Sequence, residues 1–426
     1  MSLKKKPVNG MKDILPNEMA VRDYVIGIIK ETYRSYGYTP IDTPCVEHIE
    51  NLSNKQGGEN EKLIYKILKR GEKLKLDTAK SEEDLVDSGL RYDLTVPLVR
   101  FYSNNAHELP NPFKALQIGY VWRADRPQRG RYRQFMQCDI DIFGDESNLA
   151  EIELILATGA TLTKLGFKNF QIRINDRILL KKLVTNCGFD ESECESVYIT
   201  LDKIDKIGID GVAEELKKNN FEQEKIDNFV ELLTSFELAK EKKIDDIDAN
   251  EIIDLFIKQP SDEIKNAGLN ILQILANVRS AKTDDYELVL DPTLVRGMGY
   301  YTSTIFEITI PEFGGSCGGG GRYDKMVGKF TGKDVPGVGF SIGFERIILL
   351  LMENNFQIPD QAKKKAYLLE KGISSNIMSD ILSKAQSERE AGMQVLVTRM
   401  NKNKKFQKEQ LNKEGYNEII EVYGED

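Results

Sequence analysis

Residues 114–144 read KALQIGYVWRADRPQRGRYRQFMQCDIDIFG. Two extended segments flank a turn containing Pro127 and Gly130, which reads as a pair of strands joined by a hairpin. Positions 123, 126, 129, 131 and 133 around that turn are all arginine. Arginine presents a rigid planar fork of donors that matches phosphate and carboxylate oxygens. A hairpin crowned in this way can bend a polyanion and stabilise charge developing on it. The competing reading is a solvated basic turn, and a short motif alone does not decide between them. In the second strand Gln137, Asp139 and Asp141 share one face by even spacing.

Upstream, the text of Arg91–Tyr102, RYDLTVPLVRFY, is strand-like. On a strand Asp93 and Thr95 would point the same way and grip one ammonium group together. A helix is expected over about Glu18–Tyr36, ended by Gly37. GYTPIDTPCVE is extended because Pro40 and Pro44 exclude helix. EKLIYKILKRGEKLKL, residues 61–76, reads as two strands turning at Arg70-Gly71.

Downstream, an amphipathic helix is expected over about Leu149–Leu165, with Asn148 and Glu151 spaced as a capping box. Residues 168–282 then turn acidic, lysine-rich and helical, apart from one short strand, FQIRI. Strand text returns at YELVLDP and STIFEITI. Between these, LVRGMGYYTSTIFE places Arg296 beside Gly297 and Gly299, where the backbone can approach a ligand. Tyr300 and Tyr301 follow and would alternate faces. GGGGRYD, ending at Asp324, has no following Gly-Lys-Ser/Thr and is not a Walker loop. Its glycines suit tight packing or a flat ligand. Arg346 opens a helix at GFER, where the dipole favours an anion, so the cation there is a candidate ligand group. From Ala366 the chain alternates strand, helix, strand, helix, strand, an α/β pattern.

Composition narrows the chemistry. The chain has 426 residues, a net charge of −9 and 30% charged residues. The length suggests two or three domains, and the acidity argues against a general nucleic-acid coat. No apolar run approaches the roughly 20 residues of a membrane span, and the first residues lack the apolar core of a signal peptide. His48 and His107 are the only histidines and form no zinc-type spacing. Five scattered cysteines without a CxxC pair read as reduced cytosolic thiols. Arginines, carboxylates and backbone amides are left to do the chemistry.

Taken in order, these segments resemble histidyl-tRNA synthetases, a class II aminoacyl-tRNA synthetase family. GYTPIDTP resembles motif 1, WRADRPQRGRYRQFMQCDIDIFG motif 2 and GVGFSIGFERI motif 3. LVRGMGYYTSTIFE and GGGGRYD resemble the family's histidine signatures, and RYDLTVPLVRF its eukaryotic-like amino-group site. The resemblance implies an α+β catalytic domain with a mixed, mainly antiparallel sheet, carrying a helical insertion. It also implies a C-terminal anticodon-binding-like α/β domain, which looks incomplete because the text stops after YGED. The expected domains are 1–167 and 283–360 for the catalytic parts, 168–282 for the insertion and 366–426 for the last.

It further implies ATP-dependent attachment of L-histidine to tRNA(His) through a histidyl-adenylate, in a cytoplasmic homodimer with no membrane association. Arg123 and Arg296 would flank the α-phosphate as the catalytic pair, both also touching histidine. Arg346, with Asp125 and Arg131, would hold ATP. Asp93, Thr95 and Gln137 would bind the α-amino group. Asp141 and Tyr301 would read the imidazole, with Tyr300 and Tyr323 nearby, and Mg²⁺ would accompany ATP. Two departures stand out: Gly299 replaces the family's usual Asp in RGLDYY, and the last domain is short. The rival reading is the synthetase-like regulatory subunit of ATP phosphoribosyltransferase. It typically degrades the ATP-binding arginines, whereas Arg123, Arg296 and Arg346 all persist here.

Overall fold

A computed structural model describes residues 3–53, 62–241, 261–296, 299–359 and 362–424, with the backbone alone for 237–241. The chain divides into two compact units, one of residues 1–14 with 25–354, the other of residues 15–24 with 355–426.

In chain order the first unit contains most of helix α1 (Pro16–Ser35), strands β1 (Thr39–Ile41) and β2 (Val46–His48), helix α2 (Ile49–Leu52), and strands β3 (Lys66–Leu68) and β4 (Val86–Leu90). Helix α3 (Thr95–Asn105), strands β5 (Phe113–Trp122) and β6 (Gln134–Phe143) and helix α4 (Leu149–Lys164) follow. Next come β7 (Gln171–Asp176), α5 (Arg177–Asn186), α6 (Cys194–Leu201), α7 (Ile204–Lys218), α8 (Gln223–Glu241) and α9 (Asp262–Ala281). The unit closes with β8 (Glu287–Leu290), β9 (Thr304–Ile310), β10 (Gly315–Arg322), α10 (Gly328–Thr331), β11 (Gly337–Ile342) and α11 (Phe344–Glu353).

Among the described residues eight strands form one sheet in the order β1-β5-β6-β11-β10-β9-β7-β8. Only the two outermost pairs are parallel; the five inner pairs are antiparallel. The mixed, mainly antiparallel sheet expected from the sequence is therefore present. Helix α11 buries Phe344, Ile347, Ile348, Leu350 and Leu351, each contributing about 1.5–3 kcal/mol. The inserted helices α5–α8 have a core of their own, built from Val197, Leu201, Val212, Leu216, Phe229 and their neighbours.

In the second unit β12 (Lys364–Leu369), α12 (Ser375–Glu390), β13 (Gln394–Arg399), α13 (Lys404–Lys413) and β14 (Tyr416–Val422) make a parallel three-stranded sheet in the order β13-β12-β14. The lysines of α13 are partly neutralised: both Lys404 and Lys408 pair with Glu421.

Three local expectations need correction. Arg91–Tyr102 is not a strand, because helix α3 begins at Thr95. Asp93 accepts the Val96 N–H at 3.0 Å, capping the first turn, and Pro97 falls in that turn, where its missing N–H costs nothing. Asp93 and Thr95 therefore share no strand face. The second strand proposed after Arg70 is absent, and Gly71–Lys73 is a short 3-10 turn instead. The capping box at α4 does not form either. Asn148 bonds Gln273 at 2.9 Å, while Glu151 takes two donors from the buried Arg322 at 2.6 and 2.7 Å.

Candidate active site

Strand register builds the floor of the site. Gln117, Asp139, Ser341, Gly319, Glu307 and Arg173 lie opposite one another in a row across six strands. Two residues further along, Ala115, Asp141, Gly339, Gly321, Ile305 and Asn175 make the next row. Even spacing puts both rows on one face.

The glycines leave room for the functional side chains. A Cβ on Gly339 would lie 1.9 Å from Asp141 Oδ1. One on Gly319 would meet the Arg296 guanidinium at 2.6 Å, and one on Gly321 the Tyr301 ring at 2.8 Å. The glycine run is thus a strand whose bare face receives Arg296 and Tyr301.

One half of the floor is acidic and ringed by phenols. Tyr323 donates to Asp141 at 2.5 Å, and both are buried. Tyr300 donates to Asp93 at 3.4 Å and also bonds Thr95. Its ring meets Tyr301 edge-on at 4.9 Å and Tyr323 at 6.0 Å. Gln137 donates to Ser341 at 3.0 Å and to Asp139 at 3.4 Å. Burial pushes the Asp93 carboxyl up to about 6, with the Val96 N–H and Arg123 pulling the other way. Asp141 is pushed up to about 7 by burial, against the Tyr323 hydrogen bond and with the Asp93 charge adding to it. Asp139 is held well above its usual range by burial and by Asp141. Three buried carboxyls crowded together call for a cationic, hydrogen-bonding guest.

The other half is basic. Arg123 donates to the Tyr92 carbonyl at 2.8 Å and lies 5.2 Å over the Phe135 ring. Arg296 donates to Glu307 at 3.0 Å and to Ser316 Oγ at 3.4 Å, and its buried Nε has no hydrogen-bond partner among the described residues. Arg346 donates to the Ser316 carbonyl and stacks at 5.5 Å on Phe313. Its guanidinium is pushed below its usual range by burial, then by Arg131 and Arg296. A buried guanidinium that feels two further cations suits a polyanion.

The hairpin turn distributes its arginines. Arg131 pairs with Asp125 at 3.6 Å. Arg129 reaches Glu353 at 2.5 Å and lies over Phe313, and Arg133 bonds the Asp125 and Asn9 carbonyls. Asp125 and Arg131 therefore engage each other on the turn, while Arg123, in the basic half, acts electrostatically on Asp93 and Asp139 across the floor. Gly299 is exposed, and a Cβ there meets nothing within 4 Å among the described residues.

Sequence reasoning missed Glu307, Arg173 and Ser341. A signal existed for two of them. STIFEITI and FQIRI carry one charge each among apolar, hydroxyl and amide side chains, and a lone charge inside such a strand needs a buried partner. Register makes those two charges neighbours.

Residues 10–347 match the sequence family described as histidyl-tRNA synthetase. The histidine–tRNA ligase of Leifsonia xyli subsp. xyli is 44% identical over 85% of this chain and 83% of its own length. That of Christiangramia forsetii is 37% identical over 83% of this chain and 78% of its own. A crystal structure of histidyl-tRNA synthetase from Nostoc sp. PCC 7120 superposes with a TM-score of 0.76 at 26% identity, covering 99% of this chain and 92% of that one. An ATP phosphoribosyltransferase regulatory subunit/histidyl-tRNA synthetase from Bacillus halodurans C superposes at 0.75 with 19% identity, covering each chain in full, a likeness of fold alone. With an arginine-lined basic half and a carboxylate-phenol cup on one mainly antiparallel sheet, this chain belongs to the histidyl-tRNA synthetase family and is a class II aminoacyl-tRNA synthetase, a histidine–tRNA ligase.

Proposed function

We propose that the acidic cup receives L-histidine and the basic half receives ATP. Asp93, Thr95 and Gln137 hold the α-ammonium, and Asp141 with Tyr301, Tyr300 and Tyr323 reads the imidazole. The histidine carboxylate attacks the α-phosphorus, the bond to the bridging oxygen breaks and pyrophosphate leaves. Two anions meet in that step, and Arg123 and Arg296 offset both their repulsion and the charge gathering on the phosphoryl oxygens. Arg346, Asp125 and Arg131 hold the rest of ATP. A terminal tRNA hydroxyl then attacks the acyl carbon and AMP leaves, giving histidyl-tRNA(His). No protein nucleophile is required.

The observation that carries this reading is the convergence of Arg131 and Arg296 on the buried Arg346, whose guanidinium is held below its usual range by burial and by those two charges, beside the Asp93–Asp141 cup. Histidine-dependent exchange of labelled pyrophosphate into ATP tests it. Folded protein that fails to exchange would point instead to a regulatory role.

The floor's carboxylates are already engaged, Asp93 by Val96 and Tyr300, Asp141 by Tyr323, Glu307 by two arginines. Among the described residues no group of three acidic, cysteine or histidine side chains could hold a metal. The residues present therefore do not build a nest for Mg²⁺, which would enter held mainly by phosphate oxygens and water.

The division into residues 1–167, 168–282, 283–360 and 366–426 belongs to this reading. So do a homodimer formed through the motif 1 region and a cytoplasmic setting. Among the described residues no helix is long and apolar enough to cross a membrane.

The cup also predicts a pH dependence. Asp93 and Asp141 have folded pKa values above the unfolded value of about 3.9. The folded protein thus binds more protons than the unfolded chain between about pH 4 and 7, and these groups cost stability as pH rises through that window. Histidine's ammonium compensates the charge once Asp93 is ionised. The rise in Tm on adding histidine should therefore be larger at about pH 7.5 than at about pH 5.5. A rise equal at both pH values, by calorimetry, would remove Asp93 from the ammonium site.

A further inference from the structure

Arg296 does not hold its partner alone. Glu307 is buried, accepts from Arg296 at 3.0 Å through one oxygen, and pairs with Arg173 through the other. Arg173 also donates to Asp291 at 3.1 Å and to Asp205 of helix α7 at 3.1 Å. Asp202, just past helix α6, acts on Arg296 electrostatically. Two guanidinium groups thus face four carboxylates, two from the sheet side and two from the inserted helices. A carboxylate shared between two arginines neutralises each only in part. Without Arg173, Glu307 would bear on Arg296 in full.

We propose that Glu307 is a positioning residue for Arg296 and that Arg173 draws charge off Glu307, so that Asp205 on helix α7 adjusts how much positive charge Arg296 presents to the phosphate. The inference rests on the reading of Arg296 as phosphate-facing. It assigns the inserted helices a part in the adenylation step: whatever displaces α7 from Arg173 changes the strength of the phosphate-binding guanidinium. Arg173 touches no reacting atom in this scheme and acts through Glu307.

Pyrophosphate exchange with the full chain tests the scheme, with folding of each variant checked by thermal melting. Arg173→Gln should lower kcat by about 10–100-fold and leave KM for histidine within about threefold. Adding Asp205→Asn to it should recover about threefold or more of the loss, because one surplus carboxylate goes with it. Asp205 is 64% exposed, so Asp205→Asn alone folds. It should raise kcat/KM for ATP by about two- to threefold as Arg173 turns wholly to the sheet side. Should Arg173→Gln not fold, that single variant decides the matter. A kcat unchanged by Arg173→Gln, no recovery in the double variant, or no gain from Asp205→Asn would each overturn the scheme. The wild-type exchange activity itself would be untouched by such a failure, which separates it from failure of the functional reading.

Discussion

Replacing Arg296 with alanine should lower kcat for histidine-dependent pyrophosphate exchange by about 10²–10³-fold, with KM for histidine shifted by no more than about threefold. The expectation follows from where its partner charge arises. Its guanidinium lies over Gly319, held on one side by Glu307 and Ser316, with Nε buried and unpaired among the described residues. A donor buried without an acceptor costs stability in the free enzyme. An anion that forms beside it in the transition state supplies the missing acceptor, so the interaction is stronger there than in the ground state. Arg296→Lys keeps the charge but loses the fork and should recover only part of the rate. Equal losses in rate and in histidine affinity, measured by steady-state exchange, would place Arg296 in substrate binding instead.

The parts of the fold legible in the sequence were those fixed locally. The β5–β6 hairpin is marked by two alternating strands around Pro127 and Gly130. The last domain is marked by its strict strand-helix alternation, and both appear in the structure. What misled was competition between local signals. Thr95, Val96 and Val99 favour strand by side-chain shape, yet an aspartate three residues before Val96 and a proline in the first turn are helix-start signals. At α4 the capping spacing was present, but Glu151 has a stronger buried partner in Arg322, far along the chain. That choice depends on tertiary contact and cannot be read from spacing.

The site shows the same division. Composition pointed to arginines and carboxylates, and residue spacing put Gln137, Asp139 and Asp141 on one face. Which strand lies beside which is a long-range fact, and it alone brings Glu307 next to Arg173 and puts bare glycines under Arg296 and Tyr301.

Asp141→Asn should collapse selectivity for histidine over an analogue with an apolar five-membered ring, such as a thienyl group, by up to about 10³-fold in the ratio of kcat/KM. Asp141 accepts from Tyr323 through Oδ1, and its second oxygen is the acceptor available to a ring N–H. Apolar rings cannot donate to it, and a buried carboxylate left unpaired is costly, which is how such a cup rejects them. Asparagine keeps the volume and so fits the space left by Gly339, where even one added carbon would clash. Its amide oxygen stands in for one of the two carboxylate oxygens, and with that oxygen kept by Tyr323 its NH₂ faces the ring N–H donor where an acceptor is needed. Histidine therefore loses far more than the thienyl analogue, and the two substrates converge. Tyr323→Phe should do less, since it removes a donor to Oδ1 but leaves the carboxylate free to accept. If Asp141→Asn slows both substrates equally, Asp141 supports the cup's shape without reading the ring, and the discrimination has to come from Tyr301.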